Sequence, residues 1–243
     1  MSTIAGNESL LRTRIEGMPA ASQTIPEEKN SYGQIVKSSA LIGGSSALNI
    51  VIGIIRTKAM AILLGPAGLG LTGLYTSIAD ITQGVAGMGI NSSGVRQIAE
   101  AVGSGDTGRI ARTSAVLRRT STLLGVLGAV CLLLFSRQIS TLTFGSSAHA
   151  SAVCILSMAV FFRSVSAGQG ALLQGMRRIS DLAKMGIWGA FCGTLSIIAF
   201  VYVLGENGIV PSLVSVAAMT ILTSWWYSRK IRVPRVPVTA RQV

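Results

Sequence analysis

Apolar and polar positions alternate in long blocks along the 243-residue chain, with six apolar stretches after a polar start. Each stretch is long enough to cross the hydrocarbon layer as a helix. A helix is required because lipid cannot satisfy free backbone groups, and strand-like alternation is absent. The pattern therefore predicts an all-α membrane protein with six transmembrane helices. The predicted spans are about 35–55, 68–90, 117–135, 151–173, 182–204 and 208–227.

The polar segments at the two ends lack a face that could be buried. No apolar stretch begins before residue 35, so a signal peptide is not expected. We predict a disordered cytoplasmic tail over residues 1–31, a six-helix transmembrane bundle over 32–231 and a short cytoplasmic tail over 232–243.

The composition agrees with a membrane protein and excludes several other classes. Charged residues make up 12% of the chain and the mean hydropathy is +0.58, so a soluble, disordered or coiled-coil protein is not expected. The net charge of +12 does not indicate nucleic-acid binding, because the basic residues lie in short segments between apolar stretches and aromatic residues are only 5%. Three cysteines, all inside apolar stretches, are predicted to be packing residues.

The distribution of Lys and Arg predicts the orientation. With the N-terminus inside, 17 of the 21 basic residues fall on the cytoplasmic side. The opposite side receives Arg56, Lys58 and Arg137, and Arg163 lies within a span. This asymmetry follows the positive-inside rule and predicts that both termini are cytoplasmic.

Catalytic and metal-binding patterns are not found, so we expect neither an enzyme nor a cofactor. The single histidine, His149, has no carboxylate or cysteine near it in sequence and is predicted to be a solvated loop residue. The glycine-rich segment 65–70 lacks the Lys-Ser/Thr of a phosphate-binding loop and is predicted to be a turn.

Two ionisable residues inside predicted spans are the strongest functional candidates. Asp80 and Arg163 each lie twelve residues from the outer end of their span, which places both about 18 Å deep. An isolated charge at that depth costs at least ~2.5 kcal/mol, so each needs a partner or a wet cavity. Two hypotheses remain open: a structural ion pair, or a lining of a transport path.

Polar and small residues recur at helical spacing beside these charges. One face of the second span carries Gly73, Ser77, Asp80, Gly84 and Gly87. A similar face of the first span carries Asn49 and Arg56, and a similar face of the fourth span carries Arg163. Small residues alone could serve only close helix packing, but polar groups favour a water-filled groove. The predicted substrate-path residues are Asn49, Arg56, Asp80 and Arg163.

Three segments resemble the polysaccharide-transport flippases, which are Wzx-type O-antigen translocases of the multidrug/oligosaccharidyl-lipid/polysaccharide exporter superfamily. They are Lys37-Ser-Ser-Ala-Leu-Ile-Gly-Gly-Ser-Ser, Arg56-Thr-Lys-Ala-Met-Ala-Ile-Leu-Leu-Gly-Pro-Ala-Gly-Leu-Gly and Gly89-Ile-Asn-Ser-Ser-Gly-Val-Arg-Gln-Ile-Ala-Glu. The resemblance covers about residues 32–231. It implies two six-helix halves around a central cavity, as in the related drug exporters, of which this chain matches the first half.

The resemblance also implies a substrate and a location. Such proteins move an undecaprenyl-pyrophosphate-linked oligosaccharide across the bacterial inner membrane, so the expected partners are that lipid-linked oligosaccharide, membrane lipid, and a second half-transporter or a homodimer. We expect a truncated or half transporter. The alternatives are half of a drug/cation antiporter, which would need more groove carboxylates than Asp80, and a non-transporting fragment or assembly protein.

Overall fold

A computed structural model of the chain describes residues 27–87 and 89–229. The chain divides into two compact units, Met1–Lys37 and Ser38–Val243. The described part of the first unit is helical from Glu27, so the last five residues of the predicted 1–31 tail lie in a helix. The rest of that tail and the predicted 232–243 tail lie outside the described residues.

The described residues form helices joined by short connections, with no strand among them. Within residues 27–87 and 89–229, seven α-helices follow one another, and two short 3₁₀ turns lie at 147–149 and 205–208. The α-helices are α1 Glu27–Gly87, α2 Ile90–Gly103, α3 Thr107–Leu134, α4 Ser136–Phe144, α5 Ala150–Gly175, α6 Ile179–Leu204 and α7 Ile209–Arg229. This architecture confirms the prediction of an all-α membrane protein.

Four helical stretches of the described chain are long and apolar enough to cross a membrane. They are Ile42–Gly87, Thr107–Leu134, Ser147–Gly175 and Ile179–Ser228. The first stretch overlaps two of the six predicted spans, and the last contains two. Six crossings therefore stay a prediction. The number depends on whether each of the two long stretches crosses the membrane twice.

The first long stretch is interrupted at Gly65. This residue has φ 68° and ψ −173°, a conformation essentially restricted to glycine, and Pro66 follows it. The predicted outer loop over 56–67 is thus helical up to Leu64 and bends sharply at one residue. The two parts of the stretch, 42–64 and 66–87, are each about 33 Å long at 1.5 Å per residue, which matches one hydrocarbon layer.

The second long stretch folds back on itself beyond Gly205, where φ is 59°. A Cβ atom built on Gly193 of α6 would lie 3.1 Å from Cγ1 of Val216 on α7. One built on Gly189 would lie 3.8 Å from Oγ1 of Thr223. Residues further along α7 contact residues earlier in α6, so these two helices run antiparallel. Small residues let the two backbones approach closely, as is usual for helix pairs in membranes.

Helix α2 lies almost entirely in the connection between the second and third predicted spans, and no helix was predicted there. It buries Gly94, Ile98 and Ala101 at helical spacing, and Ile98 packs with Leu117 of α3. The chain then turns through Gly105, and the carboxylate of Asp106 accepts hydrogen bonds from the backbone N–H groups of residues 108 and 109. This N-cap satisfies two free donors at the start of α3.

Helix α5 is the centre of the bundle. Thirteen of its residues are buried, and many of them are small, such as Ser157, Ala159 and Gly168. Apolar side chains of α5 form the main core with α1, α3 and α7, while its end contacts α2. One buried polar contact crosses the core, where the Ser224 hydroxyl of α7 donates to Oε1 of Gln169 at 2.6 Å.

Candidate functional site

A cleft of about 990 Å³, lined by both polar and apolar residues, opens beside α5. Its walls come from both sides of the bend in α1 and from α5, α6 and α7, with Asn91 at the start of α2. Arg56 lies before the bend, and Thr72, Thr76 and Ser77 follow it. Several apolar residues, such as Leu156 and Val216, complete the lining. A cleft of this size is in the range of small-molecule and lipid-headgroup sites.

An ion pair stands in the cleft wall. Nη2 of Arg163 on α5 lies 2.6 Å from Oδ1 of Asp80 on α1. The side chains keep 38% and 53% of their exposure, so the pair faces the cleft and is not enclosed in the core. The depth calculation from the sequence thus placed Asp80 and Arg163 at the same depth in the membrane, and the two residues are in direct contact. The contact is charge-assisted, and it leaves part of the guanidinium and one carboxylate oxygen for other ligands.

A second, smaller chamber of about 370 Å³ shares this ion pair with the cleft. Its walls come from the end of α1, the start of α2, α3 and α5. Asp80, Gln83, Asn91 and Arg163 line both cavities, so the ion pair belongs to a shared wall. The Oε1 atom of Gln83 is buried and has no hydrogen-bond partner among the described residues.

The four predicted path residues do not all occupy the cleft. Arg56, Asp80 and Arg163 line it. Asn49 is instead placed against α6, where its Nδ2 atom is 3.5 Å from the position of a Cβ built on Gly186. The Oδ1 atom of Asn49 is buried without a hydrogen-bond partner in the described structure. A role for any of the four in a substrate path stays a prediction.

Sequence reasoning missed Gln83 and Asn91. Gln83 follows Asp80 by three residues, so helical spacing could have placed it beside the carboxylate. Asn91 lies just beyond the second predicted span, and the start of α2 brings it to the cavities. A search for amides within one helical turn of each intramembrane charge would have found Gln83.

His149 has partners that its sequence neighbourhood does not reveal. Its Nδ1 atom is 3.0 Å from the hydroxyl of Tyr75, a residue of α1. The ring centroid of Phe144 is 4.5 Å from that of the imidazole. His149 is thus a half-buried packing residue that joins α1 to the connection between α4 and α5, and the prediction of a solvated loop residue is wrong.

The chemistry of the cleft is that of binding. Two guanidinium groups, one carboxylate, three amides and several hydroxyls line it. Within the described residues no three His, Cys, Asp or Glu side chains are grouped as metal ligands. Arginine recognises phosphate and carboxylate groups through paired N–H donors, so an anionic group is the natural ligand of Arg56 and Arg163.

The comparisons with known proteins give one match. A family model described as "Polysaccharide biosynthesis protein" matches residues 35–241, which covers both the helical bundle and the cleft. No curated protein and no solved structure matches the chain. The match agrees with the flippase resemblance of the sequence and with the apolar helices. The chain is therefore a member of the polysaccharide biosynthesis protein family of Wzx-type flippases, and this membership indicates a flippase-type transporter role.

Proposed function

We propose that this protein takes part in moving an undecaprenyl-pyrophosphate-linked O-antigen oligosaccharide across the bacterial inner membrane. The cleft holds the polar headgroup while the polyprenyl chain stays in lipid. Both termini face the cytoplasm, as the distribution of basic residues predicts. The protein transports its ligand without chemical change and is not an enzyme.

The observation that carries this proposal is the presence of Arg56 and Arg163 in one cleft of a membrane-spanning bundle. A pyrophosphate linker carries negative charge that must leave the water of the headgroup region during translocation. Guanidinium groups replace that water with paired, charge-assisted hydrogen bonds. In a medium of lower dielectric constant the attraction is also stronger than in water.

Asp80 has a defined part in this proposal. In the absence of ligand its carboxylate is the partner of Arg163, at 2.6 Å, and keeps the guanidinium from being an unpaired charge in the membrane. A pyrophosphate offers more oxygen atoms and more charge than one carboxylate, so it competes for the exposed N–H groups of Arg163. When the pyrophosphate binds, it replaces Asp80 as the ionic partner of Arg163, and when it leaves, the contact with Asp80 forms again.

We infer further that a second membrane bundle faces the cleft. Asp80 keeps 53% of its side-chain exposure and Arg56 is exposed. Groups of this kind meet hydrocarbon if nothing covers them, at a cost of a few kcal/mol each. A second copy of this chain or another helical bundle would supply this wall. Alternating access around the enclosed headgroup would follow, as in other two-bundle transporters.

Binding to a pyrophosphate lipid tests the proposal most directly. The 243-residue chain in lipid nanodiscs is titrated with farnesyl pyrophosphate and with farnesol. We expect saturable binding of the pyrophosphate alone, and at least tenfold weaker binding for Arg163→Ala, since hydrogen bonds to charged groups contribute about 1.5–3 kcal/mol. Arg137→Ala, which changes an exposed arginine of α4 outside both cavities, is the matched control. Equal binding of both lipids, or unchanged binding by Arg163→Ala, contradicts the proposal.

A cell assay tests the second bundle. The chain is expressed in a strain that lacks its O-antigen translocase, and surface polysaccharide is measured. Restoration by this chain alone indicates a homodimer. If the chain binds farnesyl pyrophosphate but restores nothing, the facing wall is not a second copy of these 243 residues. If neither binding nor restoration is seen, the proposed function is contradicted.

A further inference from the structure

One side of α3 points away from the bundle along almost the whole helix. Its exposed positions recur every three or four residues, as a single helical face requires, and they are 109, 112, 116, 119, 123, 127, 130 and 134. We refer to these eight positions as the exposed face of α3. The residues that pack into the bundle lie on the opposite side, and they include Leu117, Ser121, Gly125, Gly128 and Leu132.

The exposed face of α3 changes from basic to apolar at one point along the helix. Arg109, Arg112 and Arg119 occupy its first part. The second part is apolar, and Leu123 and Leu134 keep 69% and 71% of their exposure. Exposed leucine is stable in hydrocarbon, whereas a guanidinium group is not. The hydrocarbon layer therefore begins between Arg119 and Leu123, and the arginines lie at the level of the lipid headgroups or in the water next to them.

The three arginines of the exposed face have no acidic partner in the described part of the chain. The ion pairs recorded there join Arg96 to Glu100, Arg163 to Asp80 and Arg178 to Asp181. Asp106, the nearest acidic residue in sequence, accepts hydrogen bonds from backbone N–H groups at the start of α3. Arg112 donates from Nε to the carbonyl oxygen of Gly108 at 3.4 Å, which leaves its two terminal nitrogens for a ligand. The exposed face thus offers three guanidinium groups to an anion.

We propose that the exposed face of α3 binds an anionic phospholipid, whose phosphate lies between Arg112 and Arg119. The acyl chains then lie along Leu123 and Leu127. The two arginines are seven residues apart, or about 10 Å along the helix axis. Helical side chains lean toward the N-terminus, so Arg119 leans toward the headgroups and away from the hydrocarbon. Arg109 adds a third positive charge one turn beyond Arg112. In the predicted orientation this site lies in the cytoplasmic leaflet.

The apolar part of the same face favours a lipid over a soluble anion. A nucleic acid or an acidic protein would contact only the arginines, because its contact would end where the hydrocarbon layer begins. A phospholipid matches both parts, since its phosphate and its acyl chains follow in the same order as the arginines and the leucines. The residues of the exposed face line neither the cleft nor the smaller chamber, so lipid binding here is independent of the proposed function.

Arg118 provides a matched control on the same helix. It is exposed and adjacent to Arg119. One residue of an α-helix corresponds to a rotation of about 100°, so the Arg118 side chain leaves the helix beside the exposed face and not within it. Arg118→Gln therefore removes the same charge as Arg119→Gln at nearly the same depth, but outside the proposed site.

Lipid binding is measured on the purified 243-residue chain in dodecyl maltoside. The chain is titrated with dioleoylphosphatidylglycerol or dioleoylphosphatidylcholine, and the lipid-bound species are quantified by native mass spectrometry. We expect the unchanged chain to bind phosphatidylglycerol at least tenfold more tightly than phosphatidylcholine. Arg112→Gln and Arg119→Gln should each weaken phosphatidylglycerol binding about fivefold, the equivalent of about 1 kcal/mol for each basic residue. Arg118→Gln should retain the preference, and phosphatidylcholine binding should be the same in all variants.

Three results would contradict the lipid site. The first is equal binding of the two lipids by the unchanged chain. The second is an equal loss in Arg118→Gln and Arg119→Gln, because total charge and not the exposed face would then determine binding. The third is displacement of phosphatidylglycerol by glycerol 3-phosphate or polyglutamate at a matched concentration of negative charge, which would identify a surface for soluble anions. Binding of farnesyl pyrophosphate is measured separately, so none of these results decides the proposed function.

Discussion

Arg163 and Asp80 form an ion pair of 2.6 Å that joins α5 to the second part of α1. Removing either partner leaves one charge facing the membrane interior, whereas removing both leaves none. We expect Arg163→Gln and Asp80→Asn each to lower the stability of the inserted protein by about 1–3 kcal/mol, less than for an enclosed pair because both side chains are partly exposed. The double variant should recover at least half of the larger loss. Thermal unfolding in detergent is measured for the unchanged chain, the two single variants and the double variant. A double variant no more stable than the less stable single variant would show that the two charges are not coupled.

The hydrogen bond between Ser224 and Gln169 makes a second prediction. Ser224→Ala removes the donor that reaches Oε1 of Gln169 across the α5–α7 interface, and both residues are buried. We expect a loss of about 1–2 kcal/mol in the free energy of unfolding. Ser228→Ala is the control, since Ser228 is also buried on α7 but its recorded bond is to the carbonyl of Trp225 in its own helix. Equal losses for the two variants would argue against an interhelical role for Ser224.

Two glycines of α5 give opposite expectations for the same substitution. A Cβ at Gly175 would lie 2.6 Å from Cβ of Ile98 and 2.9 Å from the carbonyl oxygen of Val95, so Gly175→Ala must push α2 away. We expect destabilisation of about 1–3 kcal/mol, the usual cost of overpacking. At Gly170 the nearest atom is the flexible end of Met185 at 3.8 Å, so Gly170→Ala should be neutral or slightly stabilising. Comparable melting temperatures for the two variants would contradict the close packing of α2 on α5.

Reporter fusions test the predicted orientation. A cytoplasmic reporter fused after Lys184 or after Arg235 should be active, because the basic residues accumulate on that side of the membrane. An export-dependent reporter fused after Ser146 should also be active. The six-span topology is wrong if the export-dependent reporter works after Lys184.

The sequence predicts most of the helical architecture because membrane spans carry a strong local signal. Hydropathy over twenty residues does not depend on which helices meet, so the bounds of α5 and α7 come within two residues of the predicted spans. The depth calculation for Asp80 and Arg163 worked for a related reason. The rise per residue of a helix converts a residue count into a depth in the membrane. Two opposite charges at the same depth are stabilised when they form an ion pair.

The features that the sequence did not predict depend on single residues or on distant contacts. Helix α2 is short and only partly apolar, so a search for apolar stretches of about twenty residues does not detect it. Asn49 shares a helical face with Arg56, yet the bend at Gly65 and the packing of α6 place it outside the cleft lining. The contact between Tyr75 and His149 joins residues 74 positions apart, and no local pattern reports it.

The bend at Gly65 has a mechanical consequence. Pro66 has no N–H to donate, and the torsion angles of Gly65 are far from helical, so the ladder of backbone hydrogen bonds is broken at this point. A force along the first part of α1 is then not carried into the second part as it would be in a continuous rod. Arg56 and Asp80 stand on opposite sides of this break. The distance between the two charges is therefore set by torsion at one residue and by side-chain packing, and it can change without unwinding a turn of either segment.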